Sequence, residues 1–188
     1  KGIAAGTYVV AALAMLSGFA EMSDGLWSMT LGVSIVFLAI TGILLVMDLD
    51  RPERFLYVML RPNWDSWLVK GAYILSGFGG ILALSAGVII LDLDRSLLTY
   101  LAIAGVPLAL LTGVYTAWLL MQAKGRSWSE DSLLPAKFLV ETVAIGAAVF
   151  FPLSLMEPLS FAIGGAVLLG ILALDNKVVM KPQMEPLL

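Results

Sequence analysis

The residues with the clearest capacity for chemistry are three acidic side chains at or inside long apolar runs. Asp48 and Asp50 follow directly on the run that ends at Met47, and Glu141 lies inside a run that begins near residue 136. A carboxylate at such a depth is costly in hydrocarbon unless it is paired or hydrated. We therefore predict that these three acids transfer protons. For Glu141, an i,i+4 ion pair with Lys137 is an alternative interpretation.

A second group of residues offers hydrogen-bond donors and aromatic surfaces. Tyr115, Trp118 and Gln122 lie near the end of one apolar run, and Arg51 and Arg54 lie in a charged loop. A quinone needs such a site, because its carbonyl oxygens accept hydrogen bonds and its reduction takes up protons. We expect these five residues to lie in a quinone pocket or at its rim. Alternatively, Tyr115 makes an ordinary structural hydrogen bond, and the loop charges only neutralise one another at the interface.

The elements that position these residues are membrane-spanning helices. The 188 residues are 60% hydrophobic and 13% charged, whereas a soluble domain is about 45–50% apolar and about 25% charged. This composition excludes a soluble globular protein and predicts an all-α, polytopic transmembrane bundle that forms one integral membrane domain over residues 1–188. Six runs are long enough to cross a bilayer, near residues 2–20, 28–47, 67–91, 97–121, 136–152 and 158–174.

The last two runs are separated by a short break between Pro152 and Pro158. A single broken helix or a re-entrant hairpin is the alternative to two crossings there. The chain opens on Lys1 rather than on Met, and we expect further residues upstream, which would include the beginning of the first helix.

The distribution of basic residues predicts how the bundle is oriented in the membrane. With six crossings, ten of the eleven basic residues lie on the face that carries both termini, and Arg95 alone lies on the other. The positive-inside rule makes the basic face cytoplasmic, although basic residues kept for docking would give the same asymmetry. The acids and hydrogen-bond donors of the two groups above fall on this same face.

Stripes of small residues predict close helix packing. Gly2 and Gly6 are four residues apart in the first run, and two longer stripes occur in the third and fourth runs. Such spacing lets helix backbones approach each other in lipid. The longer stripes are Gly79, Ala83 and Gly87, and Gly105, Ala109, Gly113 and Ala117.

Several classes of site are excluded by composition. The chain contains neither Cys nor His, so it has no ligands for an iron–sulfur cluster, no usual haem ligand beyond Met or Tyr, and no ordinary zinc site. We therefore expect no haem, iron–sulfur cluster or metal in this chain. A net charge of −3 without a basic block argues against nucleic acid as a partner and leaves lipid as the surroundings.

The polar segments also resemble a known family. The stretches DLDRPERF (48–55), LRPNWDSW (60–67) and KGA (70–72) resemble the membrane subunit of the polysulfide reductase family, also called NrfD-like or PsrC-like. The stretches YTAWLLMQAKGR (115–126) and LLP (133–135) look like its fourth helix and following loop, and GIAAG (2–6) looks like the middle of its first helix. The resemblance covers roughly residues 1–150.

The resemblance implies a cofactor-free subunit of a respiratory oxidoreductase in a bacterial or archaeal plasma membrane. It would exchange electrons between menaquinone or ubiquinone and a docked iron–sulfur subunit, with a molybdopterin, cytochrome or hydrogenase subunit beyond. Carried over by position, Tyr115 looks like the quinone-ligating tyrosine, and Asp50 falls where similar members place an acid in the proton path. Family members usually have eight or more helices, and their other quinone contacts fall upstream of Lys1.

Two other functions remain open at this point. In an ion-coupled transporter or proton-translocating subunit, Asp48, Asp50 and Glu141 would be the coupling sites, although the chain shows no convincing internal repeat. In a structural membrane anchor, the loops would only tether a soluble enzyme, and nothing would depend on quinone. The resemblance also leaves the orientation open, because several family members place the motif-bearing face outside the cytoplasm.

Overall fold

The computed structural model describes residues 1–18, 23–47, 60–122, 131–155 and 163–174, and the regular structure in these ranges is helical. Four of the helices, α2 to α5, are long and apolar enough to cross a membrane, and α1 and α6 are shorter apolar helices. The predicted all-α transmembrane bundle is therefore confirmed. The helices are α1 Gly2–Leu16, α2 Asp24–Met47, α3 Trp67–Ile90, α4 Ser96–Met121, α5 Leu134–Leu155 and α6 Ile163–Leu174.

Two helices continue through a proline. Pro107 lies inside α4, and Pro152 lies inside α5, which ends at Leu155 rather than at the expected residue 152. Proline removes one hydrogen bond from the helix, but a neighbouring helix can compensate for the freed carbonyl in a membrane. The break predicted at Pro152 is therefore displaced by three residues.

The helices α5 and α6 form an antiparallel pair. A Cβ atom on Gly164 at the start of α6 would touch the Ala148 carbonyl oxygen and the Pro152 ring, near the end of α5. Leu174, at the end of α6, lines a cavity together with Leu133, which lies just before α5. Helix α6 thus runs antiparallel to α5, which contradicts one broken helix and agrees equally with two crossings or with a re-entrant hairpin.

The most deeply buried helix is α1, which packs against α2, α4 and α5. Gly6 makes the closest of these contacts, because a Cβ atom there would overlap the backbone of Thr142 and Gly146 in α5. On α4, Gly105 lies against the Tyr8 ring and Gly113 against the Thr142 side chain. These glycines have the packing role that their spacing predicts, since each permits an approach that a methyl group would block.

The stripe in α3 behaves differently. A Cβ atom on Gly79 would meet only Leu38, at 3.5 Å, and one on Gly87 would meet nothing within 4 Å in the described part of the chain. Ala83 is exposed. At Gly87, toward the end of α3, the stripe therefore makes no helix contact among the described residues.

The helices alternate in direction, which produces two polar ends. At one end, which we call the Tyr115 end, the start of α1 meets the end of α4 through Lys1, and the start of α3 meets it through Trp67. At the other, the Asp24 end, Asp24 at the start of α2 forms an ion pair with Arg95, just before α4. The arrangement agrees with the alternating crossings expected from the sequence.

Candidate functional site

Tyr115 is the centre of the candidate site. Its side chain is 2% exposed, and its ring lies directly over Gly71 of α3, where a Cβ atom would overlap the ring carbons. Glycine is therefore required at position 71 for the ring to occupy this place. In the described part of the chain, the Tyr115 hydroxyl makes no hydrogen bond. A buried phenol usually has such a partner, so this hydroxyl is available to a ligand.

Lys1 connects the start of α1 to this tyrosine. Its Nζ donates hydrogen bonds to the Gly113 carbonyl oxygen at 3.1 Å and to the Thr116 hydroxyl oxygen. The same Nζ lies 5.4 Å from the centroid of the Tyr115 ring and 4.9 Å from that of Phe138 in α5. Both distances are within the range of a cation–π interaction. A positive charge therefore lies beside the phenol, where it would stabilise negative charge developing on a ligand.

An aromatic stack lies one turn further along α4. The Trp118 ring stacks on Trp67 of α3, with 4.6 Å between centroids and 20° between planes. Lys70 Nζ lies over the Trp67 ring, 4.5 Å from its centroid. The stack gives the Tyr115 end a flat apolar wall, with a cation over the Trp67 ring.

Gln122 joins the same two helices. Its Oε1 accepts a hydrogen bond from the Trp67 backbone N–H at 3.1 Å, and its Nε2 donates to the Asp65 carbonyl oxygen at 2.9 Å. The first N–H groups of a helix have no partner within the helix, and Ser66, which precedes α3, makes no side-chain cap bond. Gln122 therefore caps α3 from α4 and holds Gly71, one turn later, under Tyr115. The sequence predicted direct contact with a ligand, whereas the amide is engaged with the backbone.

Truncation of this side chain should measure the strength of the bridge. We expect Gln122→Ala to lower the melting temperature of the purified protein in detergent by about 2–6 °C, because two hydrogen bonds contribute about 0.5–1.5 kcal/mol each. Gln122→Glu keeps the acceptor and should lose about half as much. Differential scanning fluorimetry checks both, and a melting temperature unchanged in the alanine variant would contradict the bridging role.

Glu141 lies apart from Tyr115. It lines an apolar cavity of about 600 Å³ between α5 and α6, whose lining includes Lys137 and Ile171 but not Tyr115. Lys137 donates a hydrogen bond to the Asp131 carboxylate at 2.5 Å, and this bond holds the pKa of Asp131 below its usual value. The structure thus gives Lys137 an acidic partner before α5 that the i,i+4 interpretation did not include. It does not bring Glu141 and Tyr115 into one cavity.

Four predicted site residues, Asp48, Asp50, Arg51 and Arg54, lie outside the described residues. They follow α2, whose last residue is Met47. Their assignments stay predictions.

Sequence reasoning missed three contributors to the site, namely Lys1, Gly71 and Phe138. Gly71 could have been identified from the sequence, because it lies in the family-like KGA stretch (70–72), four residues after Trp67. Lys1 was counted only for its charge. Its approach to Tyr115 depends on the packing of α1 against α4 and α5, which no local pattern specifies.

Comparison with known proteins bears on this geometry. The family model described as polysulphide reductase, NrfD, matches residues 1–161. Searches of curated proteins and of solved structures found no match. The family comprises membrane subunits of quinone-linked oxidoreductase complexes, which generally pair with iron–sulfur subunits. Since the match spans most of the chain and includes Tyr115 and every residue that surrounds it, the protein belongs to the NrfD family.

Proposed function

We propose that the protein is the quinone-site subunit of a respiratory oxidoreductase complex and that it binds the headgroup of menaquinone or ubiquinone beside Tyr115. One observation carries the proposal, which is that the Tyr115 side chain is buried as a whole while its hydroxyl has no hydrogen-bond partner in the described part of the chain. A ligand that accepts a hydrogen bond from this hydroxyl would supply the partner that a buried tyrosine usually has. Family membership supports quinone as that ligand.

The surrounding residues fit such a headgroup. A quinone supplies electron transfer coupled to proton uptake when it is bound. Tyr115 donates a hydrogen bond to a carbonyl oxygen, and the Lys1 cation beside it favours negative charge on that oxygen. Trp118, held flat by Trp67, offers an aromatic surface at the same end of α4. Gln122 and Gly71 act through Tyr115 and fix its position.

The assignment of residues to proton transfer and to the pocket rim is based on the sequence. We assign proton transfer to Asp48, Asp50 and Glu141, because each carboxylate follows or interrupts an apolar run. Arg51 and Arg54 form part of the rim, since they follow α2 in sequence. Glu141 would act from the α5–α6 cavity rather than in direct contact with the headgroup.

The partner is an iron–sulfur subunit that docks at the Tyr115 end, with a molybdopterin, cytochrome or hydrogenase subunit beyond it. Lys1, Arg61, Lys70 and Lys137 lie at or near this end, and their charge favours an acidic docking surface. By the positive-inside rule, this end faces the cytoplasm of a bacterial or archaeal cell, and the protein lies in its plasma membrane.

Removal of the phenol hydroxyl tests the proposal. We expect Tyr115→Phe to slow quinol oxidation or quinone reduction by the intact complex about 3–10-fold, because one hydrogen bond contributes about 0.5–1.5 kcal/mol. The affinity for a short-tailed ubiquinone or menaquinone analogue should fall to a similar extent. Quenching of tryptophan fluorescence by the analogue measures that affinity.

The matched control is Tyr100→Phe, since Tyr100 lies near the start of α4 and is 69% exposed. This variant should bind and turn over as the unmodified protein does. If a stably assembled Tyr115→Phe complex kept full affinity and rate, the proposed headgroup position would be wrong. An intact complex without any dependence on quinone would instead indicate a membrane anchor.

A further inference from the structure

Two cavities lie between helices α5 and α6. The first has a volume of about 600 Å³ and extends along α5 from Leu133 to Ala144. The second has a volume of about 510 Å³ and extends from Ala144 to Leu155. Ala144 lines both cavities, so they meet at this residue and form one cleft along α5.

The length of each cavity matches one leaflet of a bilayer. Leu155 follows Ala144 by eleven residues, and Ala144 follows Leu133 by the same number. Each cavity therefore extends along about 16 Å of α5. Since the hydrocarbon core is about 30 Å thick, one leaflet contributes about 15 Å to it. Ala144 thus lies near the midplane, and an acyl chain from one leaflet has the length of one cavity.

Hydrocarbon fits this cleft better than water does. Most of its lining residues are apolar, and several are small, namely Ala136, Ala144, Ala147, Ala148 and Gly164. An apolar cavity offers water no hydrogen-bond partners and binds apolar molecules instead. An empty cleft of this size would also lose dispersion contacts along its walls.

The charged side chains that line the cleft, among the described residues, lie toward the Tyr115 end. Lys137 and Glu141 line the first cavity, whereas the second is lined by apolar residues. Lys137 Nζ donates a hydrogen bond to the carboxylate of Asp131, which precedes α5. The lysine side chain therefore extends from the cavity toward the membrane surface, as long basic side chains near helix ends commonly do.

The order of these groups matches the order of groups in phosphatidylethanolamine. From the membrane surface inward, this lipid presents a primary ammonium, a phosphate, glycerol esters and acyl chains. The Asp131 carboxylate accepts hydrogen bonds, and the Lys137 ammonium has three donors, of which the bond to Asp131 uses one. We propose that the first cavity binds one phosphatidylethanolamine molecule. Its ammonium lies on Asp131, its phosphate on Lys137, and one acyl chain runs along Val140 to Ala144.

The local charge favours a zwitterionic lipid over an anionic one. Lys137 is one cation, and it lies between two acids, Asp131 before α5 and Glu141 one turn deeper. A phosphate alone would gain one charge-assisted hydrogen bond and would also meet two carboxylates. A lipid that carries its own ammonium gains a second such bond at Asp131.

Helix α5 separates this cleft from the quinone site. Phe138 and Thr142 pack against α4, whereas Glu141 and Ala144 line the cleft with α6. The tail of a quinone bound beside Tyr115 would have α5 between itself and the cleft. The cleft therefore fits a separate lipid, and the proposal does not depend on quinone binding.

Native mass spectrometry of the purified full chain, or of the complex that contains it, tests the site. The probes are dioleoyl phosphatidylethanolamine, phosphatidylcholine and phosphatidylglycerol, each added alone at the same concentration. We expect one phosphatidylethanolamine to bind several-fold more tightly than either of the others. Phosphatidylcholine has no N–H group for Asp131, and phosphatidylglycerol carries a net negative charge. Equal affinity for the three lipids would overturn the proposal.

Substitutions of the two headgroup residues should have different effects on selectivity. Lys137→Ala should lower the affinity for phosphatidylethanolamine several-fold. Asp131→Asn should remove most of the preference over phosphatidylcholine, because it weakens the bond to the primary ammonium. Arg61→Ala is the control, since Arg61 is an exposed cation that precedes α3 and does not line the cleft. It should leave both affinities unchanged, and a loss as large as that in Lys137→Ala would contradict the site.

Filling the cavity tests the place of the acyl chain. Ala136 is exposed, so we expect Ala136→Phe to fold and to lower the affinity for phosphatidylethanolamine several-fold. Ala147→Phe makes the same change in the second cavity and should retain it. If Ala136→Phe bound the lipid normally, the cavity would be covered by another part of the chain, and the proposal would be wrong. Weaker binding of a long-tailed menaquinone with unchanged binding of the phospholipid would assign the cleft to the quinone tail and would equally overturn it.

Discussion

Gly71→Val should lower the quinone-dependent turnover of the assembled complex about 10-fold or more, because displacement of the Tyr115 ring removes the hydrogen bond that Tyr115→Phe removes and also shifts the ring within the site. A Cβ atom at this position would overlap the Tyr115 ring. The ring is 2% exposed and lies 5.4 Å from Lys1 Nζ, so it has little freedom to move away from α3. Turnover and the affinity for a quinone analogue should fall together.

The control is Gly80→Val in the same helix, where a Cβ atom meets nothing within 4 Å in the described part of the chain. It imposes the same loss of backbone freedom without touching Tyr115 and should retain turnover. Gly71→Ala tests the same contact if the valine variant fails to assemble. Full activity in an assembled position-71 variant would show that the place of the Tyr115 ring does not matter for quinone.

Gly6→Val should reduce the amount of assembled protein in the membrane by about tenfold, because overpacking costs about 1–3 kcal/mol or more and abundance follows stability. At this position a side chain would meet the backbone of Thr142 and Gly146 in α5. A backbone obstacle cannot change its rotamer, so the two helices would have to separate. Immunodetection of the tagged protein after detergent extraction measures the loss.

Gly32→Val is the matched control for Gly6→Val. A Cβ atom on Gly32 in α2 meets nothing within 4 Å in the described part of the chain. The abundance of the Gly32→Val variant should remain close to that of the unmodified protein. If Gly6→Val accumulated as well as Gly32→Val, the close contact between α1 and α5 would not contribute to stability.

The sequence was sufficient to predict the helices and their alternating direction. Apolar runs of bilayer length and the charges between them specify both, since each depends only on nearby residues. The end of α5 was misplaced because Pro152 was taken as a helix terminus. A membrane helix tolerates proline where a neighbour packs closely, as Gly164 does beside Ala148.

The site was predictable only in part. Tyr115 and Trp118 could be identified from residue type and depth in the helix, and the structure buries one and stacks the other. The partner of Gln122 was missed, because the need for a cap on α3 appears only once the two helices are adjacent. Lys1 was missed for the same reason, since its contacts with α4 arise from tertiary packing.

The contact of Gly6 with Gly146 also constrains biogenesis. Helix α1 lacks its closest neighbour until α5 has been translated and inserted. During that interval α1, which is 15 residues long, must wait beside the translocon or in lipid with its glycine face uncovered. The contact between α1 and α5 therefore forms only after α5 has been made, and a nascent chain arrested before α5 would be a substrate for membrane proteases.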